Sequence, residues 1–411
     1  MPSQEKLVPT PGRRQRPKVL LFVRPAAGGM REEFLCLAKW LPREEFNLMG
    51  CGPSDFYLIE GFHAAEVPYQ PLRPSPWPVA ALQLSRLFGR QRPALVHSHG
   101  LYAAGIAHLV LRLFPEVRHV VTIHTLLSAE RFRGGGGWAA RALSRWALLG
   151  ADAVIAVSQA AKESLETLFP ELSGKVQVIY NGVEIAPLLE PRDRAAMVQF
   201  FGLRADCPHV GVMARLSREK GVEYFLRAAQ LLSREGLQAD YLIAGDGPLR
   251  HYLVALAHSL GISGEVHFLG EQPDIESVLA VLDLLVIPSL SESFSLVAVK
   301  GALLGIPIVA SRVGGLPEVL PDAMVRFVPP VDPGGLAEAI REALDRLAEK
   351  RQGALEDLDL VLSPLALELR TGVDLDEPMP AAYVSSRAPD DPRVALAERF
   401  APERMAQQVH E

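Results

Sequence analysis

Residues 286–311 constrain the fold of this chain more than any other segment. They read as a buried apolar strand, a polar turn that carries Glu292, a helix of small residues, Gly305 as a stop, and a second buried strand. A strand, a turn, a helix and a strand in this order are typical of a parallel sheet, and they aim the turn and the helix N-terminus at one edge of it. Doubly wound proteins bind their ligands at that edge. The segment therefore predicts an α/β fold with a ligand site next to Glu292.

The same alternation of strands and helices fills most of the chain in two blocks. Residues 181–191, which contain a turn pair and two prolines, separate the blocks and read as a linker. The predicted strands are 19–23, 94–96, 119–123, 153–157 and 176–179 in the first block, and 210–213, 241–244, 266–269, 284–287, 308–310 and 325–328 in the second. We therefore predict two successive Rossmann-like, doubly wound domains that face each other across a cleft.

The length of 411 residues also favours two domains, because it exceeds one ordinary hydrophobic core. We predict a flexible basic tail at 1–18, an N-terminal domain at 19–183 and a C-terminal domain at 184–350. Residues 351–392 mix acidic residues, apolar residues and prolines without a clear period, which predicts an atypical insert or loop. Residues 393–411 are predicted to form a closing helix.

Composition excludes several classes of function. A net charge of −6 and a pI near 6.0 argue against a general nucleic-acid binder. Cys36, Cys51 and Cys207 lack the spacing of a zinc ribbon or a disulfide framework, which fits a reducing compartment. No apolar run approaches the ~20 residues of a membrane helix, and the start lacks the apolar core of a signal peptide. We expect a soluble cytoplasmic protein.

In the first block, small and polar residues follow the predicted strands. Gly28 and Gly29 precede a helix, where their backbone could approach an anion, although a glycine pair is also a common plain turn. His97 and His99 follow one strand and His124 follows the next. His-x-His is a metal-binding spacing, but acidic residues are sparse around it, so we predict no metal. A structural role is the alternative for each histidine, above all for His97.

In the second block, cations follow the first strand. Arg215 comes directly after it, and Lys220 precedes Gly221 at the start of a helix. Two cations beside helix N-terminal amides suit a diphosphate and the charge that grows on it as a leaving group. A solvated basic loop is the alternative. Gly245 opens a tight turn after the next strand, which is either a binding element or only a turn.

Glu292 lies in the turn before the helix of small residues. An ionised carboxylate there can accept hydrogen bonds from sugar hydroxyls, while the amides of Phe294, Ser295 and Leu296 face phosphates. The turn therefore offers acceptors for hydroxyl groups and donors for an anion in one place.

These motifs occur in the order found in the retaining glycosyltransferases of family 4, and the chain resembles that family from residue 19 to about 350. The motifs that carry the resemblance are the glycine pair, His99, His124, residues 156–158, residues 180–183, Arg215 with Lys220, residues 245–248, Glu292 and residues 314–315. The resemblance implies a GT-B fold, in which a C-terminal helix returns to the first domain.

The resemblance also implies a role for each matching residue. His124 lies beside the donor sugar, Arg215 and Lys220 bind the diphosphate, and Glu292 holds hydroxyls of the transferred sugar. His99 lines the acceptor pocket in the N-terminal domain. The remaining residues expected around the donor are Gly28, Gly29, Gly245, Phe294, Ser295, Leu296 and Lys300.

Lys300 departs from the family, which usually has a second glutamate eight residues after the first, where it accepts the ribose hydroxyls of the nucleotide. Lysine offers hydrogen-bond donors only and adds a positive charge. The substitution puts the affinity for the donor and the identity of the donor in question.

The activity implied is transfer of a hexosyl group from a nucleoside diphosphate sugar to an unidentified saccharide, lipid-linked or small-molecule acceptor, with retention of the anomeric configuration. The family is thought to act by front-face departure and attack, without a metal or another cofactor. A role in cell-envelope, polysaccharide or glycolipid biosynthesis follows from the same resemblance. One alternative is a catalytically impaired relative that binds nucleotide sugars. Another is a phosphorolytic enzyme, but the sequence offers no motif for the pyridoxal phosphate lysine it would need.

Residues 131–146 combine a glycine run with four arginines and two tryptophans. Such a stretch could bind an anionic or lipid-linked acceptor at the inner face of a membrane. A mobile loop followed by an ordinary surface helix is the alternative.

Overall fold

A computed structural model of the chain describes residues 16–24, 28–134, 136–356 and 391–410. They form two α/β domains, each built on one parallel sheet. Most of the predicted basic tail lies outside the described residues. Within them, no helix combines the length and the hydropathy needed to cross a bilayer.

The N-terminal domain contains a seven-stranded sheet in the order β3-β2-β1-β4-β5-β6-β7, with parallel pairing throughout. Its strands are β1 (Lys18–Val23), β2 (Asn47–Pro53), β3 (Tyr69–Leu72), β4 (Leu95–His99), β5 (Arg118–Ile123), β6 (Ala153–Ala156) and β7 (Val176–Val178). Its helices are α1 (Gly29–Trp40), α2 (Phe56–Ala64), α3 (Trp77–Gln91), α4 (Leu101–Leu111), α5 (Gly137–Gly150) and α6 (Gln159–Leu168), with short 3-10 helices at Ala129–Phe132 and Pro170–Leu172.

The C-terminal domain contains a six-stranded sheet in the order β10-β9-β8-β11-β12-β13, again parallel. Its strands are β8 (His209–Met213), β9 (Asp240–Ala244), β10 (Val266–Gly270), β11 (Leu284–Ile287), β12 (Ile308–Ser311) and β13 (Val325–Val328). Its helices are α7 (Ala186–Leu189), α8 (Arg194–Phe200), α9 (Val222–Arg234), α10 (Arg250–Leu260), α11 (Ile275–Leu279), α12 (Leu296–Leu303), α13 (Leu316–Val319) and α14 (Pro333–Glu356), with 3-10 helices at Arg218–Lys220 and Asp322–Met324.

The central strands are buried on both faces because helices cover both sides of each sheet. β8, β9 and β11 are buried along their whole length, which explains their continuous apolar runs. α9 shows the complementary pattern: Phe225, Leu226 and Leu232 face the sheet while its polar residues face outward. The two-domain parallel α/β fold predicted from the sequence is confirmed.

Sequence and structure differ at several places. β2 and β3 were not predicted, since glycines and prolines interrupt their apolar pattern. The predicted linker contains the short helix α7. α14 continues to residue 356, into the predicted insert, and residues 357–390 of that insert lie outside the described part.

The closing segment forms two helices instead of one, α15 (Pro392–Arg399) and α16 (Pro402–His410), because Pro402 starts a new helix. α15 packs on α12 in the C-terminal domain, and α16 packs on α1 in the N-terminal domain. Met405 lies in the same apolar cluster as Phe34, and its Sδ atom accepts a hydrogen bond from the amide of Gly182 at 3.1 Å. The expected return of the C-terminal helix to the first domain is confirmed.

Candidate functional site

Each sheet has a point where the strand order reverses, between β1 and β4 in the N-terminal domain and between β8 and β11 in the C-terminal domain. Ligands of doubly wound sheets bind at the carboxyl ends of such strands. At these ends, Gly28 and Gly29 follow β1, His99 ends β4, Lys220 follows β8 and Glu292 follows β11. The two loop sets approach each other closely, since a Cβ atom on Gly29 would lie 3.3 Å from Leu296 Cδ1.

Glu292 is buried in the turn between β11 and α12. Its Oε2 atom lies 2.6 Å from Lys220 Nζ and accepts a hydrogen bond from the Ser289 hydroxyl at 3.1 Å. Lys220 ends the 3-10 helix after β8, so the pair joins the two strands that flank the reversal. A carboxylate and an ammonium group are thus held together at the predicted donor position.

The N-terminus of α12 offers backbone amides at the same place. The backbone of Ser295 is left-handed, with φ of 66°, and its hydroxyl accepts a hydrogen bond from the amide of Ala298 at 3.4 Å. The first amides of a helix have no partner within the helix and favour an anion. The Phe294 side chain is buried against Phe400, with ring centroids 5.1 Å apart, so Phe294 and Leu296 can offer a ligand their amides.

A glycine loop after β12 holds the turn that carries Glu292. Gly314 has φ of 51°, and a Cβ atom there would lie 2.0 Å from the Glu292 carbonyl oxygen. The amide of Gly315 donates to the same oxygen at 2.9 Å. A side chain at position 314 could not fit without moving the turn.

Arg215 and Gly245 lie at the same sheet edge. Arg215 follows β8 and is exposed to solvent. Gly245 follows β9 with φ of 130°, a conformation that L-residues rarely adopt. Its amide donates to the Gly270 carbonyl at 2.6 Å, which ties the end of β9 to the end of β10.

Three side chains of the N-terminal domain form a buried cluster that the sequence only partly predicts. His99 Nδ1 lies 3.1 Å from His124 Nε2, and Glu33 Oε2 lies 3.1 Å from His99 Nδ1 and 3.6 Å from His124 Nε2. The ring of His97 lies against that of His99, with centroids 4.4 Å apart, but its Nε2 atom is hydrogen-bonded to the Thr122 hydroxyl at 2.7 Å. That contact favours the structural role for His97.

Burial controls the charge of this cluster. It raises the pKa of Glu33 to about 7, against the opposing effect of His124. It lowers the pKa of His99 to about 3 and that of His124 to about 4, although Glu33 raises the latter. Both histidines are therefore neutral near pH 7, and the carboxyl group of Glu33 titrates there. The cluster can donate and accept hydrogen bonds without a fixed positive charge.

Among the residues that the structure describes, two groups of side chains bring metal-ligating atoms within 4.8 Å of one another: Glu33 with His99 and His124, and Cys207 with His209 and Asp240. Metal-binding histidines usually donate their other N–H to an acceptor. Within the described part of the chain, Nε2 of His99 and Nδ1 of His124 have no such partner. The first group therefore fits a hydrogen-bonded cluster better than a metal site.

Contacts across the cleft hold the two domains together. The Ser293 hydroxyl donates to the His124 carbonyl at 2.5 Å. The Glu318 carboxylate accepts from the Gln159 amide at 2.7 Å and from the Tyr180 hydroxyl at 2.6 Å, so a side chain of α13 binds the N-terminus of α6. The turn that carries Glu292 is thereby fixed against the strand end that carries His124.

Lys300 is 5 % exposed and points between helices instead of into open solvent. Its Nζ atom lies 2.9 Å from Glu276 Oε1 on α11 and 2.5 Å from Glu32 Oε1 on α1. Burial alone would lower the pKa of Lys300, but the two carboxylates outweigh it and the pKa is raised. Two carboxylates thus balance the positive charge that Lys300 brings to a position where the family usually has a glutamate.

Sequence reasoning missed Glu32, Glu33 and Glu276, and for Glu318 it offered only capping or a local pair. Each lies on a helix, where a glutamate ordinarily marks a solvated face, and each finds its partner in a distant segment. The one available signal was the position of Glu32 and Glu33 in the first turns of the helix after the glycine pair.

Comparison with known proteins identifies both domains. The family model described as Glycosyltransferase Family 4 matches residues 12–186, and the model described as Glycosyl transferases group 1 matches residues 207–346. A glycogen synthase of Mycobacterium tuberculosis is 30% identical over 275 residues, which is 64% of this chain and 63% of that protein. A D-inositol 3-phosphate glycosyltransferase of Mycolicibacterium smegmatis is 34% identical over 266 residues, 61% of this chain and 60% of the relative. The chain spans about three fifths of the length of these curated relatives.

Solved structures agree in fold. HepE of Anabaena in complex with UDP-glucose has a TM-score of 0.76 at 21% identity, over 96% of this chain and 98% of that one. Sucrose-phosphate synthase of Thermosynechococcus elongatus has a TM-score of 0.72 at 20% identity, over the same shares of the two chains. With both domains matched in order and the fold shared along nearly the whole length, the chain belongs to glycosyltransferase family 4 and has the GT-B fold.

Proposed function

We propose that this protein transfers a hexosyl group from a nucleoside diphosphate sugar to an acceptor, with retention of the anomeric configuration. One observation carries the proposal: the ion pair of Lys220 with Glu292, 2.6 Å apart, stands beside the amides of α12 where the strand order reverses. The pair offers a cation for a diphosphate and a carboxylate for sugar hydroxyls. The UDP-glucose bound by the Anabaena protein supports a donor of this class.

In this proposal the C-terminal domain holds the donor. The diphosphate lies against the α12 amides, Arg215 and Lys220, which stabilise the negative charge that develops as the sugar departs. Glu292 accepts hydroxyl hydrogens of the sugar. The Lys220–Glu292 contact keeps both groups in place before the donor arrives, so little reorganisation is needed.

The N-terminal domain holds the acceptor and completes the site. His124 lies beside the transferred sugar. His99 is fully buried, so it does not line the acceptor pocket expected from the family resemblance, and it is hydrogen-bonded to His124 from behind. Front-face attack, with the leaving diphosphate helping to take the acceptor proton, accounts for retention without a nucleophilic side chain. No metal or other cofactor takes part.

The test is donor binding and hydrolysis with uridine, guanosine and adenosine diphosphate sugars, with and without a chelator. We expect turnover of one donor that the chelator does not change. Arg215→Ala and Glu292→Ala are each expected to lower kcat/KM by about 100-fold or more. Arg218→Ala is the matched control, since Arg218 is an exposed cation in the same loop and should leave turnover unchanged.

Two further readouts decide the finer points. Product analysis by NMR with the natural acceptor would contradict retention if the anomeric configuration were inverted. Silence of the folded protein toward every donor would favour the alternative of a catalytically impaired relative. Loss of turnover with the chelator, restored by a divalent ion, would contradict the metal-independent mechanism.

We also propose peripheral contact with an anionic membrane on the cytoplasmic side, in a role in envelope, polysaccharide or glycolipid biosynthesis. α5 presents Trp138, which is 78% exposed, together with the exposed side chain of Leu143. Arg145 on the same helix is exposed as well, and it is paired with Glu171 at 2.7 Å. Basic and aromatic residues on one helix suit the interface of an anionic bilayer. The acceptor would then be lipid-linked.

Vesicle co-sedimentation tests this contact. We expect binding to vesicles that contain anionic lipid and weaker binding to neutral vesicles. Trp138→Ala should weaken binding, while Phe200→Ala, an exposed aromatic residue of the other domain at 75% exposure, should not. Equal binding of both variants would contradict the proposal.

A further inference from the structure

Lys300 raises a chemical question about the donor site. A nucleotide donor brings two ribose hydroxyls, which must donate hydrogen bonds to an acceptor, and lysine has none to offer. The ammonium group of Lys300 is moreover occupied, because Glu276 and Glu32 contact it at 2.9 and 2.5 Å. Lys300 therefore cannot accept the hydrogen bonds that the ribose hydroxyls donate, and two carboxylates already contact its ammonium group.

Two carboxylates contact Lys300, at the position where the family resemblance implies a ribose acceptor. Glu276 is in the first turn of α11, Glu32 is in the first turn of α1, and Lys300 is on α12. α12 also supplies the amides proposed for the diphosphate. Carboxylates are the recurring acceptors for ribose hydroxyls at the strand ends of doubly wound domains.

Glu276 fits the task better than Glu32. Glu276 belongs to the same domain as Lys220 and Glu292, so it keeps its place relative to the diphosphate site whenever the two domains move. Its side chain is only 11% exposed, whereas that of Glu32 is 38% exposed and belongs to the other domain. Lys300 contacts the Oε1 atom of Glu276, and a carboxylate retains lone pairs for further hydrogen bonds on both oxygens.

We propose that Glu276 is the residue that binds the ribose hydroxyls of the donor nucleotide, and that Lys300 is a positioning residue that holds its carboxylate. The inference rests on the proposed function and names a specificity determinant of that site. The carboxylate then comes from α11 and the cation from α12. The negative charge near the ribose is kept although the expected glutamate of α12 is absent.

The test compares nucleoside diphosphates with and without the ribose hydroxyls. The probes are UDP, GDP and ADP, followed by the 2′,3′-dideoxy analogue of whichever binds the natural protein best, with dissociation constants measured by calorimetry. For the natural protein we expect the ribose form to bind about tenfold or more tightly than the dideoxy form, since two charge-assisted hydrogen bonds are lost. Glu276→Gln should reduce this preference severalfold and leave affinity for the dideoxy form nearly unchanged.

Glu32→Gln is the matched control, since it removes the other carboxylate on Lys300, and it should keep the preference for the ribose form. Lys300→Met should reduce the preference, because the Glu276 side chain loses the group that holds it. The exchange variant with Glu276→Lys and Lys300→Glu keeps the ion pair and moves the carboxylate to α12. It should restore a preference that Glu276→Lys alone abolishes.

Nucleotide binding tests the donor site, and the preference for the ribose form tests the role of Glu276. Binding of nucleotide with an unchanged ribose preference in Glu276→Gln would overturn the role of Glu276 and leave the donor site standing. A loss of preference in Glu32→Gln that equals the loss in Glu276→Gln would also overturn it. Absence of binding to all three diphosphates by the folded natural protein would overturn the proposed function and this inference together.

Discussion

At the scale of single residues, burial determines the pKa values of Glu33, His99 and His124. The carboxyl group of Glu33 is fully enclosed, and its pKa is raised from 4.5 to about 7. The folded protein therefore holds this proton more tightly than the unfolded chain does. The stability that Glu33 contributes is fully present below pH 4.5 and is lost as the pH rises through 7. The lowered pKa values of His99 and His124 act in the opposite direction, because their contribution is lost as the pH falls below 6.5 toward 4 and 3.

Glu33→Gln isolates the contribution of the carboxyl group. Glutamine keeps the shape of the side chain but cannot ionise. The free energy of unfolding of the variant, relative to that of the natural protein, should therefore rise as the pH is raised from 5 to 8. The gain is on the order of 2 kcal/mol, since one pKa unit corresponds to about 1.4 kcal/mol. Thermal unfolding midpoints at the two pH values measure it. Glu44→Gln, at an exposed position, is the control. A difference between Glu33→Gln and the natural protein that does not vary with pH would contradict the raised pKa.

At the scale of elements, the site depends on two loops that share one space. The turn before α12 carries Glu292, and the loop after β12 crosses it at Gly314 and Gly315. Both loops leave neighbouring parallel strands, β11 and β12, so their backbones come together at the sheet edge. The position of Glu292 therefore depends on a loop more than twenty residues later in the chain.

Gly314→Ala tests this dependence. The new Cβ atom would lie 2.0 Å from the Glu292 carbonyl oxygen, so the turn must move. We expect a loss of about 2 kcal/mol or more in the free energy of unfolding and a large loss of donor turnover. Gly174→Ala is a matched control, because Gly174 also has a positive φ, of 77°, but a Cβ atom there meets nothing within 4 Å. It should cost about 1 kcal/mol and leave turnover intact. Equal effects of the two substitutions on turnover would contradict the coupling.

At the scale of the whole molecule, polar contacts and the C-terminal helices connect the two domains. α15 packs on α12 and α16 packs on α1, so the end of the chain contacts both domains. Glu318 crosses the cleft in the other direction and binds the first amides of α6, which the helix dipole makes favourable for a carboxylate. The relative position of the loops that carry Glu292 and His124 rests on these contacts.

Glu318→Gln should weaken the connection between the domains. The amide has one acceptor oxygen and no charge, so the contacts with α6 and with Tyr180 cannot all be kept. We expect the free energy of unfolding to fall by an amount on the order of 1–3 kcal/mol. We also expect a larger radius of gyration in solution scattering. Glu398→Gln, at an exposed position on α15, is the control and should change neither. A stable variant with unchanged scattering would show that the domains are held by other contacts.

Much of this architecture could be predicted from the chain itself. Uninterrupted apolar runs identify β1, β8 and β11, because strands covered on both faces need no polar alternation. The same logic failed at β2 and β3, where Gly50, Gly52 and Pro71 break the pattern although the strands pair normally with β1 and with each other. The candidate residues at strand ends were brought to one cleft because parallel strands end at a common edge.

Local periodicity and the direction of parallel strands are enough to predict the two parallel sheets, their candidate ligand edge and the residue types found there. Which charges meet depends on the folded chain. Lys300 with Glu32 and Glu276, Glu33 with two histidines, and Glu318 with α6 are contacts between segments far apart in the chain. The charge of a buried group depends on its neighbours in space and on its distance from water. Neither can be read along the chain.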